Sequence, residues 1–152
     1  MVSHSTIPLL IVPDTNVCVN GTTISQRAPY QIINAWKAGS IDFAFCEPML
    51  EEIADVLFRP YFRDEVGWKE LKIFEYVDQL REGSFIQPGT TPVMVSPDPD
   101  DNILFATALE AQADYIVSYD KKHVLKVGEY QGIKTIHPFD FVKDILQMNP
   151  LK

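Results

Sequence analysis

Asp14, Glu52, Asp101 and Asp120 are spread widely along the chain, yet each falls where the local pattern ends a strand or enters a helix. Several carboxylates converging on one rim repel one another unless divalent cations offset them, and hard oxygen donors suit Mg²⁺ or Mn²⁺. The chemistry they offer together is that of a carboxylate metal site. Asp14 follows the apolar run Leu9-Leu10-Ile11-Val12 in IVPDTN, and Asp120 follows Tyr115-Ile116-Val117-Ser118 in DYIVSYD. Both would project beyond the carboxyl ends of buried strands, the rim at which open α/β sheets bind ligands.

Each acid also has a plainer explanation. Asp14, Thr15 and Asn16 are good turn formers and helix caps. A carboxylate after a central strand nevertheless needs donors or a cation to stay ionised, and Thr15 and Asn16 can donate or hold ligand. Glu51 and Glu52 lie on a helix whose apolar stripe is Met49, Ile53, Val56 and Leu57. Helical spacing sets Glu52 beside Met49 and Val56 and turns Glu51 towards solvent. Asp98, Asp100 and Asp101 gather at a helix start, where free N–H groups favour negative charge. Three acids exceed what a cap needs; Asp101 shares a face with Leu104, Phe105 and Ala108, and Asp100 is not excluded as a participant. Asp120, taken singly, is a loop acid beside Lys121 and Lys122.

The elements that must position these acids alternate. A strand over Leu9–Val12 leads to a helix from about Gln26 to Ala38, a strand over Ile41–Cys46, and a helix opened by Glu47-Pro48 that runs to Leu57. Mostly helical sequence spans Arg63 to Gly83, followed by a short strand over Ser84–Gln87. The proline-rich stretch from Gln87 to Pro97 reads as a loop with a brief extended piece at Val93–Val95. A helix over Asp100–Gln112, a strand to Ser118, a basic stretch to Gly128, a strand over Ile133–Ile136 and a helix over Phe139–Met148 complete the chain. Alternation of this kind predicts a parallel sheet with helices on both faces, because parallel strands need crossover connections.

At 152 residues and 46% hydrophobic content, one domain over residues 1–152 with a sizeable core is expected. The apolar stretch near the N-terminus is broken by Pro8 and Pro13 and has no basic leader. No segment is long enough to cross a bilayer, so the expectation is a cytoplasmic protein with no membrane partner. Cys18 and Cys46 form no CxxC pair and read as buried reduced thiols. His4, His123 and His137 show no metal-ligand spacing, which argues against zinc and gives all three ordinary surface or core roles. No GxSxG, GxxxxGK or GxGxxG motif is present.

The motifs DTN, LEEIADVL and DPDDNILFATALEAQADYIVSYD, in this order, resemble the PIN-domain family over nearly the whole chain. The last is the most specific, joining an acid at a helix start, an alanine-containing helix and a strand ending in Ser-x-Asp. The resemblance maps the family's acidic positions onto Asp14, Glu52, Asp101 and Asp120, and its accessory polar positions onto Asn16 and Ser118. It implies a three-layer α/β sandwich around a five-stranded parallel sheet and Mg²⁺- or Mn²⁺-dependent cleavage of single-stranded RNA. It also implies a frequent homodimer and the toxin branch of bacterial toxin–antitoxin pairs, with an antitoxin protein as partner. Pro13, before Asp14, departs from the family's uninterrupted strand and removes one ladder donor.

On that reading, one or two ions bridged by Asp14 and Asp101, with Glu52 and Asp120 as further ligands, would activate water and stabilise phosphate charge. The net charge of −8 argues against broad phosphate neutralisation, so substrate contact must be local. Lys121, Lys122, Lys126, Arg27, Arg59 and Arg63 are candidate phosphate contacts. Tyr30, Trp36, Tyr61, Phe62 and Trp68 are candidate base-stacking platforms, with core packing the expectation for Trp36 and substrate or partner contact for Tyr61 and Phe62. Two alternatives compete. A haloacid-dehalogenase-like phosphohydrolase would carry a second Asp where Asn16 stands, and a non-catalytic RNA- or protein-binding module would not need the full acid set.

Overall fold

The computed structural model describes residues 7–22 and 27–150. The elements are β1 (Leu9–Pro13), α1 (Thr15–Asn20), α2 (Ala28–Lys37), β2 (Ile41–Cys46), α3 (Glu47–Leu57), α4 (Glu70–Glu82), β3 (Phe85–Gln87), α5 (Pro99–Ala111), β4 (Tyr115–Val117), α6 (Val124–Val127), β5 (Glu129–Tyr130), β6 (Ile133–Ile136) and α7 (Pro138–Asp140). Two π-helical turns, Tyr61–Val66 and Phe141–Ile145, join them.

The strands form one sheet in the order β3-β2-β1-β4-β6-β5, parallel except for the β5–β6 pair. The five parallel strands are those expected from the sequence. The sixth, β5, is two residues long and folds back on β6 through a tight turn at Gln131 and Gly132, both at positive φ. Too short to show a period, it falls between the basic stretch expected to end at Gly128 and the strand expected from Ile133.

β1 is sandwiched between β2 and β4, and Ile11 and Val12 are fully buried. An apolar run without alternation is what a strand covered on both faces requires. Pro13 ends β1 opposite Val117, and the ladder resumes where the Asp14 N–H donates to the Val117 carbonyl at 2.9 Å. The missing donor thus falls at a strand terminus.

From β1 the chain winds outward through β2 to β3, then returns through α5 to β4 on the other side of β1. α2 and α3 pack on β2, with α1 between them and α4 on α3. α5 packs across β1, β2, β3 and β4, burying Leu104, Phe105 and Ala108. α3 buries Met49, Ile53, Val56 and Leu57 against β2, α1 and α4, the stripe read from the sequence. Phe43, Phe45, Phe105 and Phe141 are among the largest fully buried side chains, each contributing roughly 1.5–3 kcal/mol of apolar transfer.

Several elements differ from expectation, the stretch from Arg63 to Gly83 among them, which divides at Gly67 (φ +86°) into the π turn and α4. α1 is a separate six-residue helix directly after Asp14, too short to announce itself by period. The helix expected from about Gln26 begins among the described residues at Ala28, with Gln26 outside them. The C-terminal helix is a single α turn continued by the π turn ending at Ile145. The extended piece at Val93–Val95 forms no strand. Cys18 and Cys46 are buried free thiols, as expected, and burial raises the Cys18 thiol well beyond physiological pH. No helix among the described residues is long and apolar enough to cross a membrane.

Candidate functional site

The order of winding reverses between β1 and β4, and at that switch point the carboxyl ends of neighbouring strands part to leave a crevice. Asp14 stands at the end of β1, and Ser118 and Asp120 follow β4. Asp14 is also the N-cap of α1, so the bland reading of DTN holds locally: its Oδ1 accepts from the Thr15 N–H at 2.8 Å. The cap does not exhaust the carboxylate. Its Oδ2 accepts from the fully buried Ser118 hydroxyl at 2.8 Å, and that Oγ accepts from the Asp120 N–H at 3.0 Å. One serine therefore ties the ends of β1 and β4 together and sets two acids relative to each other.

The remaining acids arrive from the two helices flanking the crevice. Glu52 of α3 is exposed, and its Oε2 accepts from Thr15 Oγ at 3.0 Å, while Glu51 faces solvent. Asp101 lies in the first turn of α5, where its Oδ2 accepts from Ser96 Oγ at 2.8 Å. Asn102 fixes that serine's loop: its Oδ1 accepts from the Val95 and Ser96 N–H groups at 3.0 Å each, and its Nδ2 donates to the Ser96 carbonyl at 2.8 Å. Asp98 is the N-cap of α5, accepting from the Asp100 N–H at 2.9 Å. Asp120 caps its own turn, accepting from the Lys122 and His123 N–H groups at 3.1 and 3.0 Å.

All four expected acids line one cleft of about 490 Å³, together with Thr15, Asn16, Asp98 and Asp100. Among the described residues, the one Lys or Arg side chain lining it is Arg59. Six carboxylates against one guanidinium leave a strong excess of negative charge. Burial raises the Asp14 carboxyl above its ordinary value, offset in part by the Ser118 and Thr15 hydrogen bonds and reinforced by Asp101 and Asp120. Asp101 is raised as well, first by burial and then by Asp98 and Asp120, against the Ser96 hydrogen bond and His123.

Such a donor set fits a divalent cation. The tightest cluster of ligating atoms comes from Asp101, Asp120 and His123, one from each within 4.8 Å of one another. His123 Nδ1 also lies 3.4 Å from Asp120 Oδ2. Sequence spacing gives His123 only an ordinary surface or core role, and the Asp120 turn brings it to the acids. Asp14 and Glu52 lie outside that cluster, on the β1 side of the cleft.

Ser96 and Asn102 were also invisible as site residues. Their one sequence signal is the SPDPDDN run, where polar residues flank the acids.

The expected substrate contacts divide. Arg59 lines the acidic cleft, whereas Lys121 and Arg27 line a neighbouring pocket. Lys122 and Lys126 are exposed and line neither. Arg63 sits over the Phe58 ring, 5.5 Å from its centroid. Trp36 stacks on Phe43 at 5.2 Å and donates from its indole nitrogen to the Gly83 carbonyl at 3.1 Å, the core role expected for it. Trp68 is 5% exposed and packed against Tyr76, so it cannot stack a base without unpacking. Tyr30 lines a separate depression beside Trp68. Tyr61 is 61% exposed with Phe62 edge-on at 5.0 Å, and neither lines the acidic cleft.

The family model for the PIN domain matches residues 10–122, and the chain belongs to that family. PIN domains are generally nucleases, and PIN nucleases use divalent metals. No curated protein matches the chain. Among solved structures, the PIN domain of T. brucei RRP44 matches at 14% identity and a TM-score of 0.48, covering 93% of this chain and 83% of that one.

Proposed function

We propose that this PIN domain is a divalent-metal-dependent endoribonuclease that cuts single-stranded RNA, acting as the toxin of a toxin–antitoxin pair. The observation that supports it best is the convergence of Asp14, Glu52, Asp101 and Asp120 on one cleft with Arg59 as the only Lys or Arg among the described residues against them. In this reading Asp14 and Asp101 hold Mg²⁺ or Mn²⁺ directly, and Glu52 and Asp120 complete the set directly or through water. The bound metal supplies an activated water and stabilises charge on the scissile phosphate. Ser118 and Thr15 orient the Asp14 and Glu52 carboxylates through the hydrogen bonds described, as outer partners of metal ligands do. Arg59, on the cleft wall, is a phosphate contact.

The toxin role, a cytoplasmic homodimer and an antitoxin covering the acidic rim rest on the motif resemblance. Labelled single-stranded RNA incubated with the purified protein is expected to be cut with Mg²⁺ or Mn²⁺ and not with EDTA. Asp14→Asn is expected to lower the rate on the order of 10³-fold, since a metal ion supplies several kcal/mol of transition-state stabilisation. Induced expression should arrest growth in the wild type and not in Asp14→Asn. Cleavage that survives the substitution refutes the site assignment, and unimpeded growth refutes the toxin role.

A further inference from the structure

The rim does not end at the acidic cleft. Beyond Tyr119, towards the carboxyl ends of β4 and β6, lies a second pocket of about 570 Å³ whose lining includes Arg27, Lys121, Tyr119, His137 and Phe139. Tyr119 lines both cavities, so the two share a wall one residue from Asp120. The chemistry changes sign across it: the first cavity is lined by six carboxylates, and the second carries Arg27 and Lys121 with Asp140 as its one carboxylate. Both cations are exposed, and neither makes an ion pair with another described residue. In a chain with net charge −8, two cations without an ion-pair partner among the described residues, beside an acidic site, are a local exception to the global field.

The aromatic walls are held in place. The Tyr119 hydroxyl is hydrogen-bonded to the Asn20 side chain, and its ring meets His137 edge to face at 5.1 Å and 90°. His137 caps α7, its Nδ1 accepting from the Phe139 N–H at 3.1 Å. Burial lowers the His137 pKa, with Asp140 opposing and Lys121 assisting. The ring is therefore neutral near pH 7, and the acceptor role of Nδ1 assigns the proton to Nε2, leaving an N–H donor. Fixed aromatic surface, one neutral donor and two exposed cations are what an unpaired nucleotide needs: faces for the base, an edge donor, and charge for phosphate.

We infer that this pocket is a nucleotide subsite, in which a base of the RNA strand packs against Tyr119 and Phe139 while its phosphate meets Arg27 and Lys121. The inference rests on the proposed RNA substrate and specifies how the strand lies: across the Tyr119 wall, from the basic pocket into the acidic cleft. An acidic peptide segment would also be attracted to the two cations. It would gain less from the paired aromatic walls and neutral donor, which favours the nucleotide.

The test measures binding separately from cleavage. A fluorescein-labelled, 2′-O-methyl oligouridylate of eight nucleotides is titrated with wild type, Arg27→Gln/Lys121→Gln and Asp14→Asn in Mg²⁺ over a series of salt concentrations. Both cations are exposed, so the double variant should fold as the wild type does, checked by circular dichroism. Loss of the contacts to that phosphate should reduce the log–log salt slope by about 0.7 and weaken binding on the order of tenfold or more. In cleavage assays the same variant should raise KM with kcat little changed.

An unchanged affinity and salt slope in the double variant overturns the subsite even where the wild type cuts RNA. Absence of oligonucleotide binding by the wild type overturns it as well and turns the pocket into a candidate peptide surface. Undiminished cleavage by Asp14→Asn defeats the nuclease site, while the salt slopes still decide the subsite.

Discussion

Glu110 and Asp14 are both carboxylates that accept several hydrogen bonds, yet the fold treats them oppositely. Glu110, near the end of α5, accepts from the N–H groups of Gly89, Thr90 and Thr91 at 2.6, 3.0 and 2.9 Å, and from the Thr91 hydroxyl at 2.7 Å. Those donors outweigh its slight desolvation and lower its pKa. Asp14 accepts from Thr15 and Ser118, and its pKa is raised because burial and two neighbouring acids outweigh them. Glu110 closes a loop whose Gly89 has a φ of +71° and leaves no room for a Cβ, which would meet Cys46 at 2.9 Å. It is an anion whose needs are met within the protein. Asp14 is one whose needs are not, and a charge held at a cost to the fold marks a site for a cation.

The sharpest way to break this contrast is to remove the hydroxyl that ties two of the cleft acids together. Ser118→Ala deletes the hydroxyl between Asp14 and the Asp120 N–H, and is expected to lower metal-dependent RNA cleavage by about 10–100-fold. Circular dichroism should show the fold retained, because the change removes one oxygen from a strand end. Single-turnover rates check it, and an unchanged rate would remove Ser118 from the machinery.

Glu110→Ala should do the reverse: leave cleavage close to wild type and destabilise the protein by about 1–2 kcal/mol, through the loop N–H groups it abandons. For a chain of this size that corresponds to a fall in Tm of roughly 2–8 °C. Calorimetry on the variant checks it, and a large loss of activity without a Tm change would invert the comparison.

The smallest expected effect is the pH dependence of metal-free stability. Asp14 and Asp101 have folded-state pKa values above the ordinary 3.8. Their contribution is therefore fully present below 3.8 and is lost as pH rises through the raised values. Glu110 lies below its ordinary 4.5, so its contribution is present above 4.5 and is lost as pH falls through the lowered value. Denaturation with EDTA across this range should show Asp14→Asn flattening the loss towards higher pH, and Glu110→Ala flattening the loss towards lower pH. Identical pH profiles for the two variants would erase the distinction.

Much of this is legible in the amino-acid sequence. Ile41–Cys46, Glu47–Leu57 and Ile133–Ile136 have the bounds expected, because strong apolar patterns and a Pro at the helix entrance set them locally. The four acids were legible because each sits at a strand end or a helix turn, and element order alone brings such places to one rim. What escaped depends on tertiary closeness or on shortness. The α1 helix has too few turns to show a period, and β5 exists only because the Gln131-Gly132 turn folds it onto β6. His123 reaches Asp101 through the turn that Asp120 caps, and Asn102 acts by holding a loop six residues upstream. Trp68 resembled a stacking platform by type, but its ring is spent on the core beside Tyr76.

The most direct measurement is a calorimetric titration of Mn²⁺ into metal-free protein at a series of pH values, each run in two buffers of different ionisation enthalpy. The account predicts binding to the wild type that weakens, and releases more protons, as pH falls towards the raised Asp14 and Asp101 values, because both carboxylates must be ionised to hold the ion. It also predicts binding abolished or severely weakened in Asp14→Asn and unaltered in Glu110→Ala. Absence of Mn²⁺ binding, or binding that is indifferent to Asp14→Asn, would contradict it.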